Sequence, residues 1–286
     1  MKLLLLGGTR FLGRHLAGEA LASGHEVTLF HRGRTEVGLF PDAEEILGDR
    51  DGGLGLLRGR SWDAVVDTSG FVPRVVRQSV EALDAGLYAF ISTISVYADY
   101  RVLGIAEDAP LKEPPPEEEP TEEVSRETYG WLKVLCEREL PDRSLVVRPC
   151  ILAGPFDYTD RFTWWLRQVE EGGEVVAPGR PARPVQVLDV RDLAVWLLRM
   201  IERGRTGVFN TTGPDTPLTM GEMLETLREA TGSNATFAWR EPEPDAEIPF
   251  WIPEEKNGFH SVDSRKARAE GLVCRPLLQT ALDTRG

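Results

Sequence analysis

The chain is short of cysteine, histidine, lysine and long apolar runs. Its three cysteines, Cys136, Cys150 and Cys274, are odd in number and share no ligand-like spacing, so they read as reduced thiols and not as a disulfide framework. The four histidines are as scattered, and no metal site is expected. No run approaches the roughly 18 to 20 apolar residues of a membrane span, and the leucines Leu3 to Leu6 are too few for a signal-peptide core. The expectation is a soluble, cytoplasmic protein without membrane contact. Positive charge is also in deficit, at a formal net charge of -13. Eight of the acids fall between Glu107 and Glu123, against Lys112 alone and among five prolines, Pro110, Pro114, Pro115, Pro116 and Pro120. Such a stretch reads as a solvated, partly polyproline-like loop. An acid excess of this size opposes broad nucleic-acid binding.

What is present begins at once. Leu3 to Leu6 form a short apolar run ending at Gly7 and Gly8, as expected of a strand buried on both faces of a parallel sheet. From Phe11 the pattern turns helical, with Leu12, Leu16, Ala20 and Leu21 on one side and Gly24 as a stop signal. A glycine turn between a first strand and a first helix gathers unpaired backbone N–H groups and the positive end of the helix dipole, which suits a phosphate. The spacing of Gly7, Gly8 and Gly13 is not the literal G-x-G-x-x-G, so by itself the turn is equally a tight βα connection.

The strand Glu26 to Phe30 completes a β-α-β unit of the length of a nucleotide-binding half. Where NAD-binding versions place an acid for the ribose 2′-OH, this chain has Phe30 or His31 and then Arg32 and Arg34. A 2′-phosphate is therefore expected, NADP before NAD, with Arg10 in the turn as a second cation. The alternative is that Arg32 and Arg34 are ordinary loop arginines. Strands at Glu44 to Gly48, Asp63 to Asp67, Leu87 to Thr93 and Ser144 to Arg148, with helices at Val72 to Ala85 and Ser125 to Leu140, predict a doubly wound parallel sheet. Its ligands should meet the tails after Asp67, Ile91 and Val147. Beyond Gly154 a helix beginning near Phe162, an irregular region made by Gly172-Gly173 and Pro178 to Pro184, an amphipathic helix Asp192 to Arg203, a last strand Gly207 to Thr211 and a helix Met220 to Thr231 are expected. Trp239 and Trp251 read as core.

On the helix from Ser125, Tyr129 and Lys133 are four apart and share a face. The chain has 28 arginines and only five lysines, so a lysine here reads as kept for what a planar guanidinium cannot do, a compact ammonium beside a ribose hydroxyl and a phenol. The alternative is an exposed lysine pairing with Glu137.

Taken in order, GGTRFLG after the first strand, GDRD after the third, ISTISVY after the fifth, YGWLK on the next helix and RPCILAGP after the sixth strand resemble the extended short-chain dehydrogenase/reductase family of the NAD-dependent epimerase/dehydratase type, over about Met1 to Gly213. The resemblance implies a Rossmann-like α/β fold and a catalytic Thr93, Tyr129 and Lys133. It implies cofactor contacts at Gly7, Thr9, Arg10, Phe11, Leu12 and Gly13, at Arg32, at Asp49 (on adenine) and Arg50, at Thr68, Ser69 and Gly70, at Lys133 on the nicotinamide ribose, and at Pro149 and Ile151. Three departures stand out. Arg10 replaces the middle glycine, as in a branch with GGTRFLG openings that includes plant chloroplast stem-loop RNA-binding proteins. Asp67-Thr68-Ser69-Gly70 replaces the usual HLAA. Val185 stands where sugar epimerases carry a diphosphate-binding arginine, with Arg183 or Arg161 as substitutes.

The expected organisation is a dinucleotide-binding domain of residues 1–155 and about 185–213, with a small substrate-binding cap of about 156–184 and 214–286. The expected function is an NADP(H)-dependent oxidoreductase, epimerase or dehydratase acting on a polar, sugar-nucleotide-like small molecule. The competing reading is a dinucleotide-binding regulatory or RNA-binding protein without turnover. A homodimer is compatible with the family.

Overall fold

In the computed structural model, which describes residues 1–115, 121–243 and 246–285, Lys2–Leu6 (β1) is an inner strand of a seven-stranded parallel sheet. The others are Glu26–His31 (β2), Glu44–Leu47 (β3), Ser61–Asp67 (β4), Asp84–Ile91 (β5), Ser144–Pro149 (β6) and Gly207–Thr211. Their spatial order is Gly207–Thr211, β6, β5, β4, β1, β2, β3, with every pairing parallel. The chain runs outward from β1 to β3, then returns past β1 to β4 and runs out the other way. The order thus reverses between β1 and β4, where the βα loops on the two sides part and open a crevice. This is a Rossmann-like, doubly wound α/β fold.

The leucine run explains why β1 lies inside. Leu3 and Leu5 enter one core with the helix Phe11–Ala22 (α1), while Leu4 and Leu6 enter the core on the other face with Phe30 and Phe90. A strand apolar at every position suits both faces at once. Truncating any of these leucines to alanine would cost about 2–5 kcal/mol.

Helix boundaries depart from the sequence pattern for local reasons. The second helix, Pro73–Ala82 (α2), stops before Ala85 because Asp84 and Ala85 already pair with Ser61 and Trp62 in the sheet. The third, Tyr129–Arg138 (α3), begins at Tyr129 and not at Ser125. Upstream, the Ser125 hydroxyl accepts from the Glu127 and Thr128 N–H groups, and the Thr128 hydroxyl donates to the Glu123 carbonyl. Such side-chain bonds compete with helix. Part of the acidic, proline-rich stretch, residues 116–120, lies outside the described residues.

A second core lies over the carboxyl ends of the strands. It packs Phe162, Trp165 and Leu166 of Arg161–Glu171 (α4) against Met223, Leu224 and Leu227 of a helix at Met220–Thr231, which starts from a capping box between Thr219 and Glu222. Val190–Glu202 (α5) packs with α1 in the first core, its start set by the Asp189 carboxylate accepting from the Arg191 N–H. Between the irregular stretches expected at Gly172-Gly173 and Pro178 to Pro184 lies a strand, Glu174–Pro178, paired in parallel with Thr236–Arg240. No helix among the described residues is long and apolar enough to cross a membrane.

Candidate active site

One cleft of about 1750 Å³ runs along the carboxyl edge of the sheet and under the second core. It exceeds the roughly 300–1,000 Å³ of a single small-ligand pocket, so a dinucleotide and a second molecule fit side by side. Of the sequence-predicted residues, the glycine turn, Arg32, Asp49, Arg50, Thr68, Ser69, Thr93, Tyr129, Pro149 and Ile151 all line it. Gly70 and Lys133 stand behind its wall.

At the turn, Gly7 has φ +111°, and a Cβ there would lie 2.5 Å from the Thr68 hydroxyl. A Cβ on Gly13 would lie 2.8 Å from the Gly8 backbone, so the absence of a side chain lets α1 close onto the turn. Arg10, by contrast, is extended at φ -128°, so the middle position of the motif needs no glycine here. No side chain caps α1, which leaves the N–H groups of its first turn for a ligand. Phe11 opens the helix in the left-handed region at φ +41°, a strain of the kind that collects at ligand clamps. Ser92 lines the cleft, and its buried hydroxyl has no partner among the described residues. A glycine cradle and an orphaned donor in one cleft fit a dinucleotide.

The arginines divide by task. Arg32 and Arg34 line the cleft, and the nearest acid to Arg32 is Asp49 at 4.0 Å, both about half exposed. Arg50, expected to meet the cofactor, lines the cleft, and both ends of its fork donate to Asp67, at 2.6 and 2.7 Å, while Nη2 also donates to Ser79 at 2.8 Å. The Tyr88 hydroxyl donates to the same carboxylate at 3.0 Å. Burial opposes the Asp67 charge, but the Arg50 charge and hydrogen bonds outweigh it and lower the carboxyl pKa. A fully buried acid thus holds this guanidinium for itself. Arg10 stacks on Tyr158, its Cζ 3.6 Å from the ring centroid.

Thr93 and Tyr129 both line the cleft, the Thr93 hydroxyl near the Tyr129 phenol. The Thr93 hydroxyl accepts from the Ser95 N–H at 3.1 Å, which caps the turn Ile94–Val96 and fixes the side chain. Burial raises the Tyr129 phenol above its ordinary value, opposed by the Thr93 hydroxyl and the charge of Arg161. Lys133 is 2% exposed, and its ammonium donates to the carbonyls of Gly70 at 2.6 Å and Ile91 at 2.7 Å, 4.0 Å from the Phe90 ring centroid. Burial pushes it down to about 8. These two carbonyls and the Phe90 face hold the head group just beneath the cleft wall. Glu137, the alternative partner, is held by Arg148 at 2.6 and 3.0 Å.

In the upper wall, Trp251 is a cleft residue and not simply core. It carries the guanidinium of Arg183, 3.9 Å above its ring. Arg183 is 3% exposed and does not line the cleft, so of the two arginines offered in place of the one missing at Val185 only Arg161 reaches it. Sequence reasoning also passed over Lys112, Tyr158 and Lys256, all lining the cleft. The scarcity of lysine was a usable signal for two of them.

A model of the NAD dependent epimerase/dehydratase family matches residues 3–211. The Arabidopsis thaliana chloroplast stem-loop binding protein of 41 kDa b is 27% identical over 276 residues, or 89% of this chain and 67% of that one. Among solved structures, a UDP-glucuronic acid 4-epimerase from Bacillus cereus in complex with NAD superposes with a TM-score of 0.75 at 18% identity, covering 99% of this chain and 95% of that one. A UDP-glucose 4-epimerase from Thermotoga maritima, bound to UDP-glucose, gives 0.73 at 17% identity, covering 99% and 97%. The matched span holds the glycine turn, Thr93 and Tyr129 on their expected elements, and the chain belongs to the NAD dependent epimerase/dehydratase family.

Proposed function

We propose that the chain is a nicotinamide-dependent epimerase, dehydratase or reductase acting on the hydroxyl or carbonyl of a polar, sugar-nucleotide-like molecule. The reading rests on the joint placement of Thr93 and Tyr129 in the cleft that also contains the glycine turn. Sugar-nucleotide epimerases among the structural neighbours support it.

The residues divide the chemistry as follows. The turn and the first N–H groups of α1 would hold a pyrophosphate, and Asp49 the adenine. When bound, a nicotinamide supplies the acceptor and donor of hydride. Thr93 hydrogen-bonds the reacting oxygen of the substrate, and Tyr129 exchanges a proton with it. With its pKa raised by burial, Tyr129 stands as the phenol that gives a proton to a carbonyl oxygen; acting as base it needs positive charge nearby, and Arg161 supplies some. Lys133 acts as a positioning residue, fixing the ends of the β4 turn and of β5 through Gly70 and Ile91. The second core, with Trp251 and Arg161 on its cleft side, forms the substrate-binding cap. Arg32 and Arg34, with no acid at the tip of β2, favour the 2′-phosphate form, NADP(H).

Tyr129→Phe tests the reading. Turnover of UDP-glucose or UDP-glucuronic acid, followed by product analysis, should fall by about 10²–10⁴-fold with dinucleotide affinity unchanged. Unaltered turnover would remove Tyr129 from the chemistry.

A further inference from the structure

Lys112 and Lys256 are two of only five lysines in the chain, and both face the same cleft. Lys112 follows the segment of Thr93, tied there by its N–H donating to the Val96 carbonyl at 2.8 Å. Its side chain crosses the first turn of α3 at Gly130. A Cβ on Gly130 would stand 2.8 Å from the Lys112 ammonium, so the glycine after Tyr129 makes room for it. Lys256 comes from the opposite wall, on the turn Glu254–His260. Neither ammonium has an ion pair or a side-chain hydrogen bond among the described residues; Lys112 stands 5.5 Å from the Tyr100 ring centroid, and three nearby acids are paired elsewhere. Asp99 is taken by Arg101 at 2.8 Å, Glu247 by Arg126 at 3.2 Å, and Glu254 by Arg180. Burial, and then the charge of Lys256, lower the Lys112 pKa. Like charges on one cleft repel, and an anion between them would relieve both.

We propose that Lys112 and Lys256 together bind an oxyanion of the substrate, a carboxylate or a phosphate, at the end of the cleft beside Tyr129. The preferred substrate is then an acidic molecule and not a neutral hexose derivative. The proposal rests on the reading that a second molecule occupies the cleft beside the dinucleotide. It concerns an acid group near the reacting carbon.

The test is calorimetry on the NADP-saturated protein at constant low ionic strength, with inorganic phosphate, D-glucuronate and D-glucose as probes. At least one of the two anions should bind saturably and glucose should not; which anion binds distinguishes phosphate from carboxylate. Lys112→Gln and Lys256→Gln should each weaken that binding about tenfold, whereas Lys256→Arg retains it and Lys266→Gln, remote from the cleft, leaves it unchanged. NADP affinity, unaltered in every variant, reports that the fold is intact. Saturable binding of neither anion, or equal affinity in the wild type and both glutamine variants, overturns the proposal. The catalytic reading fails separately, if Tyr129→Phe keeps its turnover while the anion titration still depends on both lysines.

Discussion

At the scale of single residues, burial decides what each ionisable group can do. His260 is 3% exposed; its Nδ1 accepts from the Gln186 N–H at 3.2 Å, so Nε2 carries the proton toward the Phe250 carbonyl at 3.2 Å. Burial, reinforced by the charge of Arg183, pushes it down to about 4. The unfolded chain takes up this proton near pH 6.5 and the folded chain only near 4. Between those values the unfolded state binds more protons, and stability falls as the pH drops. Urea unfolding should show a loss of about 2 kcal/mol from pH 7 to pH 5 attributable to this residue, absent in His260→Gln. Equal losses in both proteins would show that His260 does not titrate this way. Arg32 and Arg34 carry a second residue-scale prediction, that NADPH binds about tenfold or more tightly than NADH by calorimetry. Equal or reversed affinities would remove them from the choice of dinucleotide. Arg10 carries less of that choice than its place in the motif implies, because its guanidinium is occupied by Tyr158.

At the scale of elements, the glycine turn and α1 are strapped from above. The segment after Gly154 lays Phe156 under Arg14 at 3.7 Å and Tyr158 under Arg10 at 3.6 Å, and His15 bonds the Pro155 carbonyl at 3.0 Å. Both aromatic rings are more than half exposed, so each cation–π contact is worth about 0.5–1 kcal/mol. Arg10→Ala or Tyr158→Ala should therefore raise the rate of dinucleotide release about two- to fivefold, read by stopped-flow fluorescence of the reduced cofactor. Unchanged release in both variants would show that the strap does not cover the ligand. The turn itself was legible in the sequence because strand, glycines and helix are consecutive there. The start of α3 was not, since hydroxyl groups at Ser125 and Thr128 compete with the helix in a way no apolar period records. Nor was the strand Glu174–Pro178 legible, because its partner lies far along the chain at Thr236–Arg240.

At the scale of the whole molecule, the net charge of -13 sets the nature of the partners. RNA binding is the competing reading of the sequence, and the Arabidopsis relative is named for stem-loop binding. Phosphate contacts dominate nucleic-acid affinity and need an excess of cations. Here the cations of the cleft lie in a molecule that is acidic overall. A stem-loop RNA should show no retardation in a gel shift at physiological salt, with or without dinucleotide. A saturable shift would favour RNA binding over small-molecule turnover.

The sequence by itself determined the alternation of strand and helix, the position of the glycine turn, and the placement of Thr93 at the carboxyl end of a sheet strand and of Tyr129 on the helix that follows. All of these follow from side chains close together in the chain, whose spacing dictates which face they occupy. Only the tertiary structure decided that Lys133 lies beneath the cleft wall, that Arg50 is held by Asp67, and that Lys112 and Lys256 line one cleft. Those outcomes depend on which distant carbonyls, carboxylates and rings arrive beside each charge once the sheet is assembled. For a charged group, the partner and the depth of burial fix its chemistry, and neither is a property of its neighbours in sequence.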